Sequence, residues 1–256
     1  MQLAELLHLL YTAHQRYGSI QVSWRYWYQV EALNEMRERY SPGSVKPLTA
    51  KKGAASKIQS PAEMTYHWQI WWRKPACWRE DAQSSGEGKN IRIICDDRWL
   101  FYSAAGQRLS TNTLPEGPLH RQRVQRGRRP RGAAQIRPSL EEAVNAVPLL
   151  DPSFLLASHD LESVADIRFV EREALRVRAV FRKGREVARD PFFWGGADDY
   201  ELLVDKERGI LLRYAARLGE REVAVAAVEQ VIFDAAIPDD VFVFTPPPNT
   251  TIELAD

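Results

Sequence analysis

The chain has 256 residues, 45% hydrophobic and 27% charged, with a formal net charge of +1. This is an ordinary globular composition, long enough for one large β domain or two small ones, and its net charge by itself points to no nucleic acid partner. Two cysteines, Cys77 and Cys95, are too few for a disulfide framework, and no apolar run approaches the ~18 residues of a membrane span.

Residues 3–17 predict an amphipathic helix, with Leu3, Leu6, Leu10, Ala13 and Tyr17 on one face, flanked by Leu7 and His14. Gly18-Ser19 stops it. The next stretch alternates as a strand: Ile20, Val22, Trp24, Tyr26, Tyr28 and Val30 face one way and Gln21, Ser23, Arg25, Gln29 and Glu31 the other, with Trp27 breaking the polar face. Residues 32–62, rich in Lys, Pro, Gly and Ser, read as a flexible loop. A second strand, Thr65–Arg73, sets Tyr66, Trp68, Ile70 and Trp72 against Thr65, His67, Gln69 and Arg73. Lys74-Pro75 then turns into a third strand at Trp78-Arg79-Glu80, and Ile91–Cys95 and Trp99–Tyr102 make a hairpin around Asp96-Asp97.

Residues 103–138 lack periodicity and read as a second flexible loop. The part from 107 to 138 holds eight arginines against one acid, Glu116, and so carries +7. Deleting 107–137 is therefore expected to cost little stability. Order resumes at Ser139-Leu140-Glu141-Glu142, a capping-box spacing, and again at Asp151-Pro152, an N-cap residue followed by proline. Strands return at Ala165–Glu171 and Ala174–Arg182. A meander of hairpins follows, with turns at Asp205–Gly209 and Leu218–Glu220, and it closes on a rim strand over Ile237–Phe244 stopped by prolines.

The order of helix, long strand, strand, a Lys74-Pro75 turn followed by Arg79, and a hairpin resembles the opening half of the LolA-like superfamily, the half-barrel lipoprotein carriers and their RseB-type relatives. Ser153-Phe154-Leu155-Leu156 after Pro152 resembles the lid helix of that superfamily, and the closing meander resembles its last sheet. Arg172 and Ala174 match its Gly-Arg-x-Ala turn, whereas Glu171 stands in place of the glycine. The resemblance covers roughly 1–102 and 139–247. It implies a single α+β domain: a strongly curved antiparallel sheet forming an unclosed half-barrel, with helices on its concave side. It also implies a bacterial protein that binds an apolar ligand, such as a lipid acyl chain, or a protein segment, without catalysis or cofactor.

Seven of the eight tryptophans precede residue 100. On neighbouring antiparallel strands Trp24, Tyr26, Trp68, Ile70 and Trp72 would share one face, and with Phe154 and Leu155 of the lid they are the candidate ligand-binding residues. The alternative is plain core, in which case the protein is a cytosolic regulatory or interaction module that meets its partner through a sheet edge or the basic loop. Trp68→Ala is expected to cost about 3–5 kcal/mol if Trp68 is packed core and less if it lines a cavity, with Gln69→Ala neutral.

The basic patch of Arg121, Arg123, Arg126, Arg128, Arg129 and Arg131 could contact an anionic surface; with no interleaved aromatics, single-stranded nucleic acid is disfavoured. Catalytic and metal motifs are missing: no His-x-x-x-His, Cys-x-x-Cys or Gly-x-Ser-x-Gly occurs, and the five histidines are scattered. His67 with Cys77 or Cys95 is the one conceivable nucleophile pair, and the cysteines are expected as reduced, half-buried thiols, a bridge between adjacent strands being the alternative that sequence does not decide. Met1–Glu5 lacks a basic n-region, and Glu5 and His8 interrupt the apolar run, so the chain as written is expected in the cytoplasm. A misassigned start would place it in the envelope.

Overall fold

The computed structural model describes residues 2–40, 62–74, 77–84, 88–96, 98–113, 123–126, 147–182 and 196–254. Helix α1 (Leu3–Thr12) leads through a single 3-10 turn to β1 (Ser19–Gln29) and helix α2 (Val30–Tyr40). Strands β2 (Glu63–Arg73), β3 (Cys77–Ser84), β4 (Asn90–Cys95), β5 (Arg98–Ser103), β6 (Arg108–Thr111) and β7 (Arg123–Arg126) follow. Short helices α3 (Val147–Leu150) and α4 (Leu155–Ser158) precede β8 (His159–Phe169), β9 (Arg172–Phe181), β10 (Asp199–Asp205), β11 (Leu211–Leu218), β12 (Arg221–Phe233) and β13 (Thr251–Leu254). All thirteen strands belong to one sheet in the order β7-β13-β6-β5-β4-β3-β2-β1-β12-β11-β10-β9-β8. Its outer strands are β7 and β8, so the sheet is not closed into a barrel, and it is antiparallel except where β13 runs parallel to β6 and β7. The architecture is the expected α+β unclosed sheet. No helix among the described residues is long and apolar enough to cross a membrane.

The chain groups into two compact units: Met1–Arg16, Arg25–Thr65 and Asn145–Glu229 in the first, Tyr17–Trp24, Tyr66–Val144 and Gln230–Asp256 in the second. In the first, α1 buries Leu6, Leu9 and Leu10, continued by Ala13, and leaves Leu3, Leu7 and Tyr11 exposed. The buried stripe is thus rotated from the expected one toward Leu9. Helix α2 corrects the loop expected from residue 32: Ala32, Leu33 and Met36 are buried at helical spacing, and an Arg39–Glu35 pair at 2.6 Å lies along the exposed side. Residues 41–61 lie outside the described residues.

The β9–β11 strands of this unit carry much of its core, with Val177, Tyr200, Leu202, Val204, Leu212 and Tyr214 all buried. The arginines that alternate with apolar residues in β9 and β11 pair with acids across the strands: Arg178 and Arg217 with Asp199 at 3.0 and 2.6 Å, Arg213 with Glu201 at 2.9 Å. The β8–β9 turn places Val170 and Glu171 at positive φ, which explains why a glycine suits that position. Arg172 beyond it reaches the fully buried Asp205 carboxylate, which also accepts from the Glu207 and Arg208 backbone N–H groups at 2.9 and 2.6 Å. The β10–β11 turn is thereby locked, as its residues predicted.

Asp151 caps the short turn Pro152–Phe154, accepting from Ser153 N at 3.2 Å. His159 at the start of β8 is buried, its Nδ1 2.7 Å from Ser158 Oγ. Burial and the neighbouring Arg182 charge push its pKa down to about 4, against a smaller opposing effect of Asp160. The imidazole is therefore neutral in the fold. The stability this represents is present above the unfolded value near 6.5 and lost as pH falls through 4, a loss of about 3 kcal/mol. Urea denaturation of the wild type and His159→Gln at pH 7 and pH 4 checks this, because the variant should lose less on acidification.

Two further expectations are corrected in the second unit. Residues 103–138 contain β6 and β7, not a continuous loop: Leu109 is fully buried, and β7 pairs with β13 from Arg123↔Thr251 to Arg126↔Leu254. Removing 107–137 would delete two strands and a core leucine, so it is not the neutral change expected from its composition. The rim strand over Ile237–Phe244 is instead a 3-10 turn, Asp239–Phe242, followed by extended chain; Pro238, which lacks a backbone N–H to donate, stands at its N-cap. Ser139–Glu142 lies outside the described residues.

Candidate functional site

The site is built from the β4–β6 face of the second unit and the segment that crosses it. Strand alternation puts Cys77, Arg79 and Asp81 of β3 on one face, and register carries that face across Cys77↔Cys95, Arg79↔Ile93, Ile93↔Leu100 and Leu100↔Thr111. Cys77, Ile91, Ile93, Tyr102, Leu109 and Ile252 form its core with Ile237 and Phe242, and Trp71, Leu100, Val241 and Phe244 pack at the margin.

Two arginines hold the crossing segment down. Arg73 donates to the Ile237 carbonyl at 2.7 Å and to Asp239 at 2.6 Å, and Arg79 donates to the Val241 carbonyl at 2.7 Å. Arg79 also makes a bidentate pair with buried Asp81, at 2.8 and 3.0 Å, and stacks over Trp71 at 5.3 Å. Thr111 Oγ1 donates to the Trp99 carbonyl at 2.8 Å and fixes β5 against β6.

The crossing segment does not fill the face beneath it. A cavity of about 170 Å³ remains, walled by Ile93, Cys95, Trp99, Leu100, Phe242 and Phe244, with Arg98, Thr111 and Thr113 at its polar side and Val243, 51% exposed, at its mouth. A void of roughly 150 Å³ lined by Leu, Ile and Phe side chains is enough for a benzene ring, whereas whole small-molecule ligands take about 300–1,000 Å³. The pocket therefore suits one aromatic or branched side chain, or the end of an alkyl chain. A shallower depression of about 490 Å³ lies along Gly18, Ser19, Arg73 and 234–238. Its polar groups satisfy one another, with Gly18 N donating to Asp234 and Ser19 Oγ to the Ala235 carbonyl, both at 2.7 Å, so it presents fewer groups to a ligand.

Cys77 and Cys95 are joined as a disulfide between directly opposed residues of β3 and β4, in place of the reduced thiols expected. Their sulfurs and an Asp96 carboxylate oxygen lie within 4.8 Å of one another, but sulfurs bonded to each other offer no thiolate to a metal ion. The conceivable His67 nucleophile pair is also corrected: His67 stands opposite Gln83, whereas Cys77 stands opposite Arg73.

Of the residues singled out for ligand binding, Trp24, Trp68, Ile70 and Trp72 lie in the second unit and Tyr26, Phe154 and Leu155 in the first. Trp24, Tyr26, Ile70 and Leu155 are buried, while Trp68, Trp72 and Phe154 are half-buried. Trp72 makes an edge-on contact with Tyr17 at 5.3 Å, and Trp68 stacks on Tyr66 at 5.6 Å. Trp27, out of pattern in sequence, donates its indole N–H to Glu63 at 3.0 Å. Arg123 and Arg126 of the basic patch belong to β7; Arg121, Arg128, Arg129 and Arg131 lie outside the described residues.

Sequence reasoning missed Glu80. Its carboxylate is buried opposite Ile70 and Arg92, with Oε2 3.7 Å from Arg92 and no hydrogen bond of its own. Burial raises its pKa, Arg92 offsets part of that rise, and Asp81 adds to it.

No family model and no curated protein matches the chain. Among solved structures, the Pseudomonas aeruginosa MucA/MucB complex is similar over 94% of this chain and 60% of that one, at 15% identity and a TM-score of 0.46. A LolA-superfamily protein from Nitrosomonas europaea is similar over 95% of this chain and 98% of its own, at 10% identity and a TM-score of 0.31. A third similar structure is the Mycobacterium tuberculosis lipoprotein LppX, at 9% identity and a TM-score of 0.45, over 93% of this chain and 99% of that one. The chain spans about 60% of the MucB length it matches.

Proposed function

We propose that the protein is a non-catalytic binding protein for an apolar chain, whose end is seated in the pocket between β4–β6 and Phe242–Phe244. The observation that carries this is the open apolar cavity of about 170 Å³, with Val243 half-exposed at its mouth. Ile93, Leu100, Phe242 and Phe244 supply the dry wall, and an alkyl end entering it gains about 0.8 kcal/mol per buried methylene. The volume favours the tip of an acyl chain, free or carried on a lipidated segment, over a complete lipid. The Cys77–Cys95 bond supports an oxidising compartment such as the cell envelope over the cytoplasm.

Titration of the full chain with a fluorescent fatty-acyl probe tests the reading. Val243→Asp sets a charge at the mouth of the pocket without disturbing the core. It is expected to weaken probe binding about tenfold or more with an unchanged melting temperature. No probe binding by the wild type, or equal binding by the variant, would count against the pocket.

A further inference from the structure

We infer that the Cys77–Cys95 disulfide is a thiol-exchange site with a fixed polarity: an incoming thiolate is directed to Cys95, and Cys77 is the departing sulfur. This stands on geometry within the second unit and does not depend on what the pocket binds.

The two sulfurs have different surroundings. Cys77 is buried in the apolar cluster beneath Ile237 and Phe242, whereas Cys95 is half-buried and forms part of the pocket wall. Exchange requires the attacker to approach one sulfur on the side away from the other. For Cys95 that approach runs through the pocket, past the exposed Arg98, its register partner on β5 and a cation that attracts a thiolate. For Cys77 it is obstructed by Arg73, its register partner on β2, and by Ile237 and Phe242.

The second asymmetry concerns the leaving group. The Arg73 guanidinium nitrogen lies 3.9 Å from Cys77 Sγ. As the S–S bond breaks, negative charge collects on the departing sulfur, and a fixed cation beside it lowers the barrier. Arg73 is itself held by Asp239 and by the Ile237 carbonyl, so it is in position before reaction. Asp96 opposes the approach with its own charge, but it is exposed and screened by solvent.

The chemistry balances with a low-molecular-weight thiol as reductant. Its thiolate forms a bond to Cys95 Sγ while the Cys95–Cys77 bond breaks and its electron pair leaves on Cys77 Sγ. A second reductant thiolate then attacks the mixed disulfide and releases the oxidised reductant. Both protein sulfurs end as thiols after transfer of two electrons. The β3–β4 ladder continues on the loop side of the pair through Trp78↔Ile94 and Arg79↔Ile93, so both cysteines stay opposed when reduced and the bond can re-form.

The test uses the full oxidised chain and reduced glutathione, quenched with iodoacetamide at short times and mapped by peptide mass spectrometry. Glutathione is expected on Cys95 in about tenfold excess over Cys77, with an opening rate proportional to glutathione concentration. Arg73→Gln is expected to slow opening about tenfold. Asp239→Asn removes the same ion pair but keeps the cation and its bond to the Ile237 carbonyl, so it should open as fast as the wild type or faster, and it carries the test if Arg73→Gln does not fold. Adduct chiefly on Cys77, a rate independent of glutathione, unchanged opening in Arg73→Gln, or slowed opening in Asp239→Asn would each overturn the assignment.

Discussion

Gly209→Val is expected to destabilise the protein by about 2–5 kcal/mol, one of the two largest single-residue effects anticipated. Gly209 closes the β10–β11 turn at φ +77°, a conformation that a β-branched residue adopts only with strain of about 1–2 kcal/mol. Space adds to the cost. A Cβ at this position would sit 2.5 Å from the Leu9 carbonyl oxygen and 3.2 Å from the Ala13 Cβ, so α1 would have to move off the turn. Overpacking of this kind costs about 1–3 kcal/mol more. Gly219 supplies the control, because it also has a positive φ, +59°, but open space around it. Gly219→Ala should cost only about 1 kcal/mol. Urea denaturation of both variants separates backbone strain from the α1 contact; equal losses would show that α1 is not seated on this turn.

The second large effect belongs to Trp24→Ala, expected to cost about 3–5 kcal/mol because the ring is 1% exposed. Trp68→Ala should cost less, about 2 kcal/mol, since its half-buried ring stacks on Tyr66 and keeps part of its surface in solvent. Gln69, which is exposed, should tolerate alanine without measurable loss. Thermal melts of the three variants check the strand register directly: a costly Gln69→Ala would reverse the faces of β2.

Strands whose side chains divide cleanly between core and solvent are legible in the amino-acid pattern alone. Ile20, Val22, Trp24 and Tyr26 are buried and Arg25 exposed, as alternation requires, and the turns after Asp205 and Leu218 fall where their Gly and charged residues place them. Legibility fails where the deciding partner is distant. Residues 108–111 read as coil because Arg-Leu-Ser-Thr shows one apolar residue, yet they form a strand held between β5 and the distant Thr251–Leu254. Helix α2 is hidden because five charged residues, Glu31, Glu35, Arg37, Glu38 and Arg39, surround its three buried ones. The site has the same difficulty. Its wall alternates visibly in β4, but its cover is the Phe242–Phe244 segment, held by Arg73 and Arg79 across more than 160 positions. The disulfide depends on the β3–β4 register, which the strand patterns do not fix.

The most direct test of the binding site is methyl NMR of the full chain during titration with a short fatty acid such as octanoate. Saturable shifts are expected at Ile93, Leu100 and Val243, which line the pocket, with Leu155 and Ile70 unmoved. Shifts at Ile70 or at Leu155 with the pocket methyls silent would contradict the account.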